Sequence, residues 1–304
     1  MHTSKSAALF TQHYPRDSLA FTDLVNQTVF TAMLEDIGSG DLTALLIPEE
    51  NIAEATIISR QDAIICGIDW VEACFRYVDK DIKIKWLVNE GEKVAGNQLL
   101  CKISGNARAM LTAERTALNF LQMLSAVATH TRQYVLAASG TKVEILDTRK
   151  TIPGLRLPQK YAVTVGGGSN QRLALYDGIL IKENHIAAAG SIAAALSQAA
   201  KLDSNTSIQI EVENMDELQQ ALSAGATSIL LDNFSIAEMR EAVELTNGRA
   251  KLEASGNVDL SSVRAIALTG VNRISIGALT KNICAIDLSM RIKQHVTNWI
   301  KIIF

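Results

Sequence analysis

A cationic stretch between Asp147 and Ile186 is the part of the sequence whose residue types most directly predict chemistry. It holds six Lys and Arg residues against three acids, although the whole chain has a formal net charge of −3. Converging cations repel one another and are costly to desolvate, so a site built from them expects an anionic ligand. Arg suits carboxylates and phosphates because its planar fork gives paired hydrogen bonds, and Lys serves the same anions as a point charge. The six cations are Arg149, Lys150, Arg156, Lys160, Arg172 and Lys182. Of these, Arg156 and Lys160 are expected to be ordinary solvated helix residues, and the other four to form the site.

The second half of the chain alternates short apolar, β-branched runs with segments rich in Ala, Leu and Glu. This alternation predicts repeated βα units and a parallel sheet. Because no dinucleotide fingerprint accompanies the six strands, a barrel is favoured over an open sheet. Helices are predicted over 191–202, 215–224, 235–246, 259–268 and from 280 onward.

Each predicted strand has polar residues at its carboxyl end, which is where α/β barrels carry their sites. Residues that are distant in sequence are therefore expected to converge on one mouth, the alternative being loop residues that are solvated separately. The acids among them suit a divalent metal, sugar hydroxyls or a developing positive charge, or else pair with neighbouring cations. The expected mouth residues are Arg149, Lys150, Lys182, Glu211, Asp232, Ser255 and Gly277.

Glycine-containing loops are the other chemical feature of this half. The loops in "LEASGNV" and "ISIGALT" follow the last two predicted strands, a common place for a phosphate to bind backbone N–H groups. The run Gly166–Gly168 is predicted to be a tight turn that delivers Arg172, in preference to a phosphate cradle. The layout as a whole suits transfer of a phosphorylated sugar onto an acidic heterocycle. A dehydrogenase is excluded because the GxGxxG spacing is absent.

The first part of the chain is predicted to form a different domain. Alternating apolar and polar residues in "EATIISRQDAIICGIDWVEACF" and "DIKIKWLVNEGEKVAGNQLLCKISGNA" indicate antiparallel strands. An apolar stripe over 112–139 predicts one long helix, or a bent pair, between the domains. We therefore predict a small N-terminal α+β domain over 1–125, joined by a C-terminal helix over 280–304, and a barrel domain over 126–279.

Composition excludes several classes of protein. A pI near 6.0 argues against a general nucleic-acid binder. The four cysteines form no CxxC pair, so they are interpreted as reduced core thiols. No apolar run approaches the length of a membrane span, and no signal peptide is evident, so a cytoplasmic protein is expected.

An ordered set of motifs resembles the quinolinate phosphoribosyltransferase family: "EDIGSGDLT", "AERTALNFLQMLS", "DTRKTIPGLR", "GGGSNQR", "LIKENHI", "IEVEN", "LLDNF", "LEASGNV" and "ISIGALT". The resemblance implies conversion of quinolinate and phosphoribosyl pyrophosphate to nicotinate mononucleotide, pyrophosphate and carbon dioxide, with Mg²⁺, in NAD biosynthesis. It also implies an α/β fold, with an N-terminal α+β sandwich domain and a C-terminal open α/β barrel. A homodimer, in some members assembled into a hexamer, is implied as well, with the site at the dimer interface.

The same resemblance assigns roles to individual residues. Arg149 and Arg172 are expected to bind the quinolinate carboxylates, with Thr148 and Lys182 beside them, and Lys150 to meet pyrophosphate or substrate. Arg115 is expected to reach the partner subunit's site. Glu211 and Asp232 are expected to hold ribose hydroxyls and Mg²⁺. Lys150, Lys182, Glu211 and Asp232 form the expected catalytic set. The phosphate of the sugar is assigned to Ser255, Gly256, Asn257, Gly277 and Ala278.

The chain departs from the family pattern in "NQRLALYD", where Gln171 and Ala174 replace the usual His and Gly. In the family this His contacts quinolinate, and Gln can hydrogen-bond but cannot carry a charge. Activity with weaker quinolinate binding is therefore expected. Two alternatives stay open from the sequence: a related phosphoribosyltransferase acting on nicotinate or another acid, and a non-catalytic phosphometabolite-binding homologue.

Overall fold

The computed structural model describes residues 9–202 and 206–293, which divide into two compact units. One unit comprises the described parts of Pro15–Thr129 and Cys284–Phe304, and the other those of Met1–Tyr14 and His130–Ile283. The helices are α1 (Leu9–His13), α2 (Leu19–Ile37), α3 (Ile68–Val78), α4 (Ala107–Ala137), α5 (Arg156–Val165), α6 (Glu183–Ala189), α7 (Ile192–Ala199), α8 (Met215–Ser223), α9 (Ile236–Thr246), α10 (Val263–Ala267) and α11 (Ala278–Lys281). The strands are β1 (Ile52–Ser59), β2 (Ala63–Ile64), β3 (Lys83–Trp86), β4 (Lys93–Val94), β5 (Leu99–Asn106), β6 (Glu144–Leu146), β7 (Ile179–Ile181), β8 (Ile208–Val212), β9 (Ser228–Asp232), β10 (Lys251–Ser255), β11 (Arg273–Ser275) and β12 (Leu288–Lys293).

The first unit is built around an antiparallel sheet with the strand order β12-β1-β5-β3. Alternate residues of β1, including Ala53, Ala55 and Ile57, are buried on one face, as a half-buried strand requires. The long helix α4 supplies Leu118 and Leu121 to the core. The mixed α/β character predicted for this part of the chain is confirmed.

Two elements of the first unit differ from the sequence prediction. Residues 68–78, read as part of the strand pattern, form α3, because Val71, Cys74 and Phe75 recur at helical spacing and are all buried. The helix predicted from residue 280 onward is also wrong over its described part. It ends at Lys281, and residues 288–293 form β12, which pairs antiparallel with β1.

The second unit is an α/β barrel that stays open. Its six strands are parallel, in the order β6-β11-β10-β9-β8-β7, and β6 does not pair with β7. Buried residues such as Ile210, Ile229 and Ile274 pack its strands into the core. The predicted open barrel is therefore confirmed. The contacts of α1 group it with this unit, whereas the sequence placed residues 1–125 in the other domain.

Within residues 9–202 and 206–293, no helix combines the length and apolar character needed to cross a bilayer. Cys66, Cys74 and Cys101 are buried core thiols, as predicted, but Cys284 is exposed, so its assignment to the core is wrong.

Candidate active site

The parallel strands carry most of the predicted site residues to one edge of the barrel sheet. Since all pairings in this sheet are parallel, each strand ends at that same edge. In sheet order, the edge carries Thr148, Arg149 and Lys150 after β6, Gly277 and Ala278 after β11, Ser255, Gly256 and Asn257 at and after the end of β10, Asp232 at the end of β9, Glu211 near the end of β8, and Lys182 after β7. The predicted convergence of strand ends is therefore present in this unit.

Arg149 and Arg172 are two cations of the site whose charges act on each other. Both are half-buried, and in each the Nε atom is buried without a hydrogen-bond acceptor among the described residues. Arg172 donates from Nη1 to the Gly178 carbonyl at 2.8 Å. Burial lowers the pKa of Arg172, the neighbouring charge of Arg149 lowers it further, and Asp177 opposes the shift. Two neighbouring guanidinium groups with unused donors suit an anion with two carboxylates.

Lys182 and Glu211 join the ends of β7 and β8. The Lys182 Nζ donates to both Glu211 carboxylate oxygens, at 2.9 and 2.8 Å. The carboxylate is only 10% exposed, whereas the lysine side chain is 43% exposed. His185, at the start of α6, accepts the Lys182 backbone N–H through Nδ1 at 3.0 Å, which fixes the backbone that carries the lysine. The ion-pair alternative for Glu211 is thus what the structure shows.

The ends of β9 and β10 approach each other closely. Ser255 lies opposite Asp232 in the register, and Asn233 donates its backbone N–H to the Ser255 carbonyl at 2.9 Å. Gly256 has φ +107°, and a Cβ there would lie 2.2 Å from the Asn233 Oδ1. Only glycine fits this contact, so the loop after β10 depends on it for its path beside Asp232.

Lys150 is tied to the end of β11 through α11. Its backbone N–H donates to the Thr148 Oγ1 at 3.0 Å, and its carbonyl accepts from the Thr280 Oγ1 at 2.8 Å. Lys150 is exposed, so its ammonium group is accessible to a ligand. These bonds place Thr148 and Lys150 beside the loop that contains Gly277 and Ala278.

A buried ion pair stabilises the two loops that carry Arg149 and Arg172. Lys160, expected to be an ordinary solvated helix residue, is instead fully buried, and its Nζ donates to the Asp147 Oδ1. Asp147 also accepts from the Asn170 Nδ2 at 2.7 Å and the Gln171 N–H at 3.0 Å. Burial raises the pKa of Asp147 to about 6, and the nearby Lys160 and the hydrogen-bond donors oppose the rise. The sequence missed this role because nothing in the local pattern of α5 marks position 160 as buried. Arg156, also expected to be solvated, is half-buried and donates to Thr151.

The glycine run is a turn, as predicted. Gly167 has φ +93°, and its N–H donates to the Thr164 carbonyl at 2.9 Å. A Cβ on Gly168 would lie 2.9 Å from both the Thr131 and the Val163 side chains. The run therefore ends α5 and leads tightly into the strand-like bridge between Ser169 and Leu146.

Gln171 faces the barrel interior. Its Nε2 donates to the Gln209 Oε1 at 3.4 Å, and the Gln209 Nε2 donates to the Glu253 Oε2 at 2.9 Å. A cavity of about 280 Å³ adjoins these three residues and also reaches Arg172 and Arg273. Burial raises the pKa of Glu253 above its ordinary value, with Gln209 opposing the rise.

Family models account for most of the chain. The model of the quinolinate phosphoribosyl transferase C-terminal domain matches residues 127–291, and that of the N-terminal domain matches residues 41–125. The chain belongs to the quinolinate phosphoribosyltransferase family. The family matches leave α1 and α2 outside their limits.

Named members of the family are similar over most of their length. A probable nicotinate-nucleotide pyrophosphorylase (carboxylating) from Bacillus subtilis is 41% identical over 84% of this chain and 89% of its own. A mitochondrial quinolinate phosphoribosyltransferase (decarboxylating) from Nicotiana tabacum is 40% identical over 87% and 81%. The solved nicotinate-nucleotide pyrophosphorylase of Francisella tularensis is 48% identical, covers 90% and 97%, and superposes with a TM-score of 0.85. Since the tobacco relative is named as mitochondrial, the cytoplasmic location stays a prediction.

Three family-derived assignments meet the structure differently. Arg115 is exposed on α4 and belongs to the first unit, so it is not part of the strand-end set. Gln171 adjoins Arg172 in sequence, but its amide is directed to Gln209. For Mg²⁺, the described residues contain no group of three or more His, Cys, Asp or Glu that could hold an ion. The carboxylates at the strand ends fit only a metal that is also held by substrate and water, which is the usual mode of Mg²⁺.

Proposed function

We propose that this protein transfers the phosphoribosyl group of phosphoribosyl pyrophosphate to quinolinate with decarboxylation. The products are nicotinate mononucleotide, pyrophosphate and carbon dioxide, and the step belongs to NAD biosynthesis. Membership of the family and the decarboxylating relatives at about 40% identity support this reaction. The observation that carries it is the pair of half-buried arginines, Arg149 and Arg172, whose Nε atoms lack acceptors in the described part of the chain.

In this proposal the arginine pair holds the two quinolinate carboxylates and orients the ring nitrogen toward the ribose. Lys182 stands beside them, with its charge balanced by Glu211. The ring nitrogen forms the bond to the ribose carbon as the bond to pyrophosphate breaks, and the carbon passes through a cationic, oxocarbenium-like state. Asp232, at the end of β9, is proposed to stabilise that charge, so the site supplies positioning and electrostatics and no covalent nucleophile.

Decarboxylation follows from the new positive charge on the pyridinium nitrogen. The bond between the ring and the adjacent carboxylate breaks, carbon dioxide leaves, and the electron pair is stabilised by the pyridinium before the ring carbon takes up a proton. The carboxylate that remains is the one nicotinate mononucleotide retains. An acceptor with one carboxylate would undergo phosphoribosyl transfer without loss of carbon dioxide and would need fewer cations.

We further propose that Mg²⁺, held together with the phosphates of phosphoribosyl pyrophosphate, would neutralise charge on the leaving pyrophosphate. Asp232 is the better protein ligand of the two predicted carboxylates, because both oxygens of Glu211 accept from Lys182. The loops at 255–257 and 277–278 are assigned to the phosphate of the sugar, consistent with their place after the last barrel strands. The protein is proposed to act as a homodimer, with hexamers as a further assembly, and Arg115 is proposed to complete the partner's site.

The test is a product assay with quinolinate, phosphoribosyl pyrophosphate and Mg²⁺, in which carbon dioxide and pyrophosphate are measured together. We expect equal amounts of both products from quinolinate and neither product from nicotinate. Pyrophosphate release from nicotinate alone would identify a different phosphoribosyltransferase. Tight binding of quinolinate without turnover would identify a non-catalytic homologue. Omitting Mg²⁺ should abolish turnover.

A further inference from the structure

The short helix α1 lies against the loop that carries Arg172, although it precedes the residues that the family models match. The loop runs from Asn170 to Asp177 and joins the glycine turn to β7. On its first side, the Phe10 N–H donates to the Asn170 Oδ1 at 3.1 Å in a buried contact. The Phe10 ring, which is 1% exposed, packs on Tyr161 of α5 with a centroid distance of 5.6 Å. One end of α1 is therefore anchored beside the residue that precedes Gln171.

The other end of α1 contacts the far side of the same loop. The His13 Nε2 lies 3.5 Å from the Asp177 Oδ1, and the Asp177 side chain is 5% exposed. The second oxygen of Asp177 accepts the Leu173 N–H at 2.6 Å, which closes the loop on the residue that follows Arg172. Burial and the neighbouring Tyr14 raise the pKa of Tyr176 at the tip of the loop. Contacts from α1 and from Tyr14, which follows it, therefore reach the loop on both sides of Arg172.

On its amino-terminal side the loop is also held by Asp147, which accepts from Asn170 and Gln171, but its tip has little such support. Leu175 and Tyr176 are 70% and 73% exposed, so the tip contributes little to the core. Arg172 itself is fixed through its bond to the Gly178 carbonyl, and it is repelled by Arg149. A cation held next to a like charge needs a backbone that resists displacement, and α1 supplies the contacts that resist it.

We propose that α1 is a positioning element for recognition of the dicarboxylate, with Phe10, His13 and Tyr14 holding the 170–177 loop so that Arg172 faces its ligand. This inference rests on the proposed function for the identity of the ligand. It assigns no chemistry to α1, whose residues act only through the loop. Because the contacts with the loop are near Arg172 and not near the phosphate loops, their loss should affect quinolinate and leave phosphoribosyl pyrophosphate unaffected.

The test uses the full chain with His13→Ala and Tyr14→Phe combined, and Thr11→Ala as the control, since Thr11 is an exposed residue of the same helix. A partly exposed ion pair and one hydroxyl contribute up to ~1 kcal/mol, so the KM for quinolinate should rise about five-fold. The KM for phosphoribosyl pyrophosphate and kcat should stay within about two-fold, an energy change of about 0.4 kcal/mol or less, because the altered side chains contact only the loop that carries Arg172. His13→Gln, which keeps a donor toward Asp177, should restore most of the affinity. Phe10→Ala should have the same selectivity with a larger effect, and its thermal unfolding would show whether it still folds.

Amide hydrogen exchange of residues 171–178 gives a measurement that does not depend on activity. Faster exchange in the double variant than in Thr11→Ala, together with the selective rise in KM, would support the proposal. Unchanged exchange would show that α1 does not hold the loop. Faster exchange with an unchanged KM would show that the loop does not position Arg172 for recognition. If the unaltered protein fails to use quinolinate, the proposed function falls and the recognition role falls with it, while the exchange result still decides whether α1 holds the loop.

Discussion

Gln171 is one of the two positions at which the sequence analysis predicts a departure from the family pattern, and its side chain hydrogen-bonds to Gln209 at the long distance of 3.4 Å. An imidazole at this position can carry a positive charge toward a carboxylate, which an amide cannot. A hydrogen bond to a charged group is worth roughly 1.5 kcal/mol or more. The free energy of quinolinate binding is therefore the quantity that this position should change.

Gln171→His should lower the KM for quinolinate about tenfold, since 1.4 kcal/mol is a factor of ten, and change kcat little. Steady-state kinetics with quinolinate varied at saturating phosphoribosyl pyrophosphate measure this directly. Gln220→His, on the exposed face of α8, is the matched control and should leave both constants unchanged. An unchanged KM in Gln171→His would mean that the position has no part in recognition of the substrate.

Glu253 gives a second test at the scale of a residue. Burial raises the pKa of this carboxyl in the folded protein, with Gln209 opposing, so the folded state binds its proton more tightly than the unfolded chain does. Stability linked to this group is therefore fully present below the pKa of the unfolded chain and is lost as pH rises through the folded value. Glu253→Gln should therefore gain stability relative to the unaltered protein as pH rises above the ordinary glutamate pKa of 4.5. Chemical denaturation at several pH values measures the difference, with exposed Glu241→Gln as the control; a difference that does not vary with pH would contradict the assignment.

At the scale of elements, the Asp147–Lys160 pair connects the end of β6 to α5, and both side chains are 0% exposed. Removing one member of a buried pair leaves the other charge unpaired, which typically costs about 3–5 kcal/mol. Lys160→Met should therefore lower the free energy of unfolding by roughly 3 kcal/mol. Lys142→Met, at an exposed position, should change it by less than about 0.5 kcal/mol.

The same pair should show coupling in a double-mutant cycle. Asp147→Asn combined with Lys160→Met removes both charges, so the double variant should be less destabilised than the sum of the single variants. Urea denaturation of the four proteins gives the coupling free energy. Strict additivity would show that the two charges do not interact in the folded protein.

The elements also show what the sequence could and could not predict. Alternation of β-branched runs and helical segments was enough for the parallel barrel, and the rule that strands carry polar residues at their carboxyl ends located Lys182, Glu211 and Asp232. The burial of Lys160 could not be predicted, because its partner Asp147 is brought to it by the fold. Residues 288–293 were read as helix because an isolated strand has no local signal of its own; the pairing of Met290 with Ile57 exists only once β1 is in place.

For the contacts of α1, the sequence carried no usable signal. Five residues are too few to establish a helical period, and the partners of α1 lie more than 150 positions away. Local composition therefore places α1 in the first domain, whereas its contacts group it with the barrel. The polar residues at the strand ends could be predicted because they depend on a repeated βα topology.

At the scale of the whole molecule, the proposed role of Arg115 sets it apart from the other predicted site residues. Arg115 is exposed on α4 in the first unit, while the strand-end set belongs entirely to the barrel. A cation that completes a site built on another unit can come from the same chain or from a partner. The proposed homodimer makes the second case testable, because a shared site behaves differently from a self-contained one when subunits are mixed.

Arg115→Ala and Lys150→Ala should each abolish most activity as homodimers. If Arg115 acts in the partner's site, a mixed dimer holds one site with both residues intact, so random mixing should restore about a quarter of the unaltered activity. The measurement is quinolinate-dependent release of carbon dioxide after subunit exchange, with exchange itself verified by two distinguishable tags. Mixing either variant with itself is the control and should restore nothing. Proven exchange without recovery would place Arg115 in the site of its own chain. In that case every site of a mixed dimer would carry one of the two substitutions, and none would be intact.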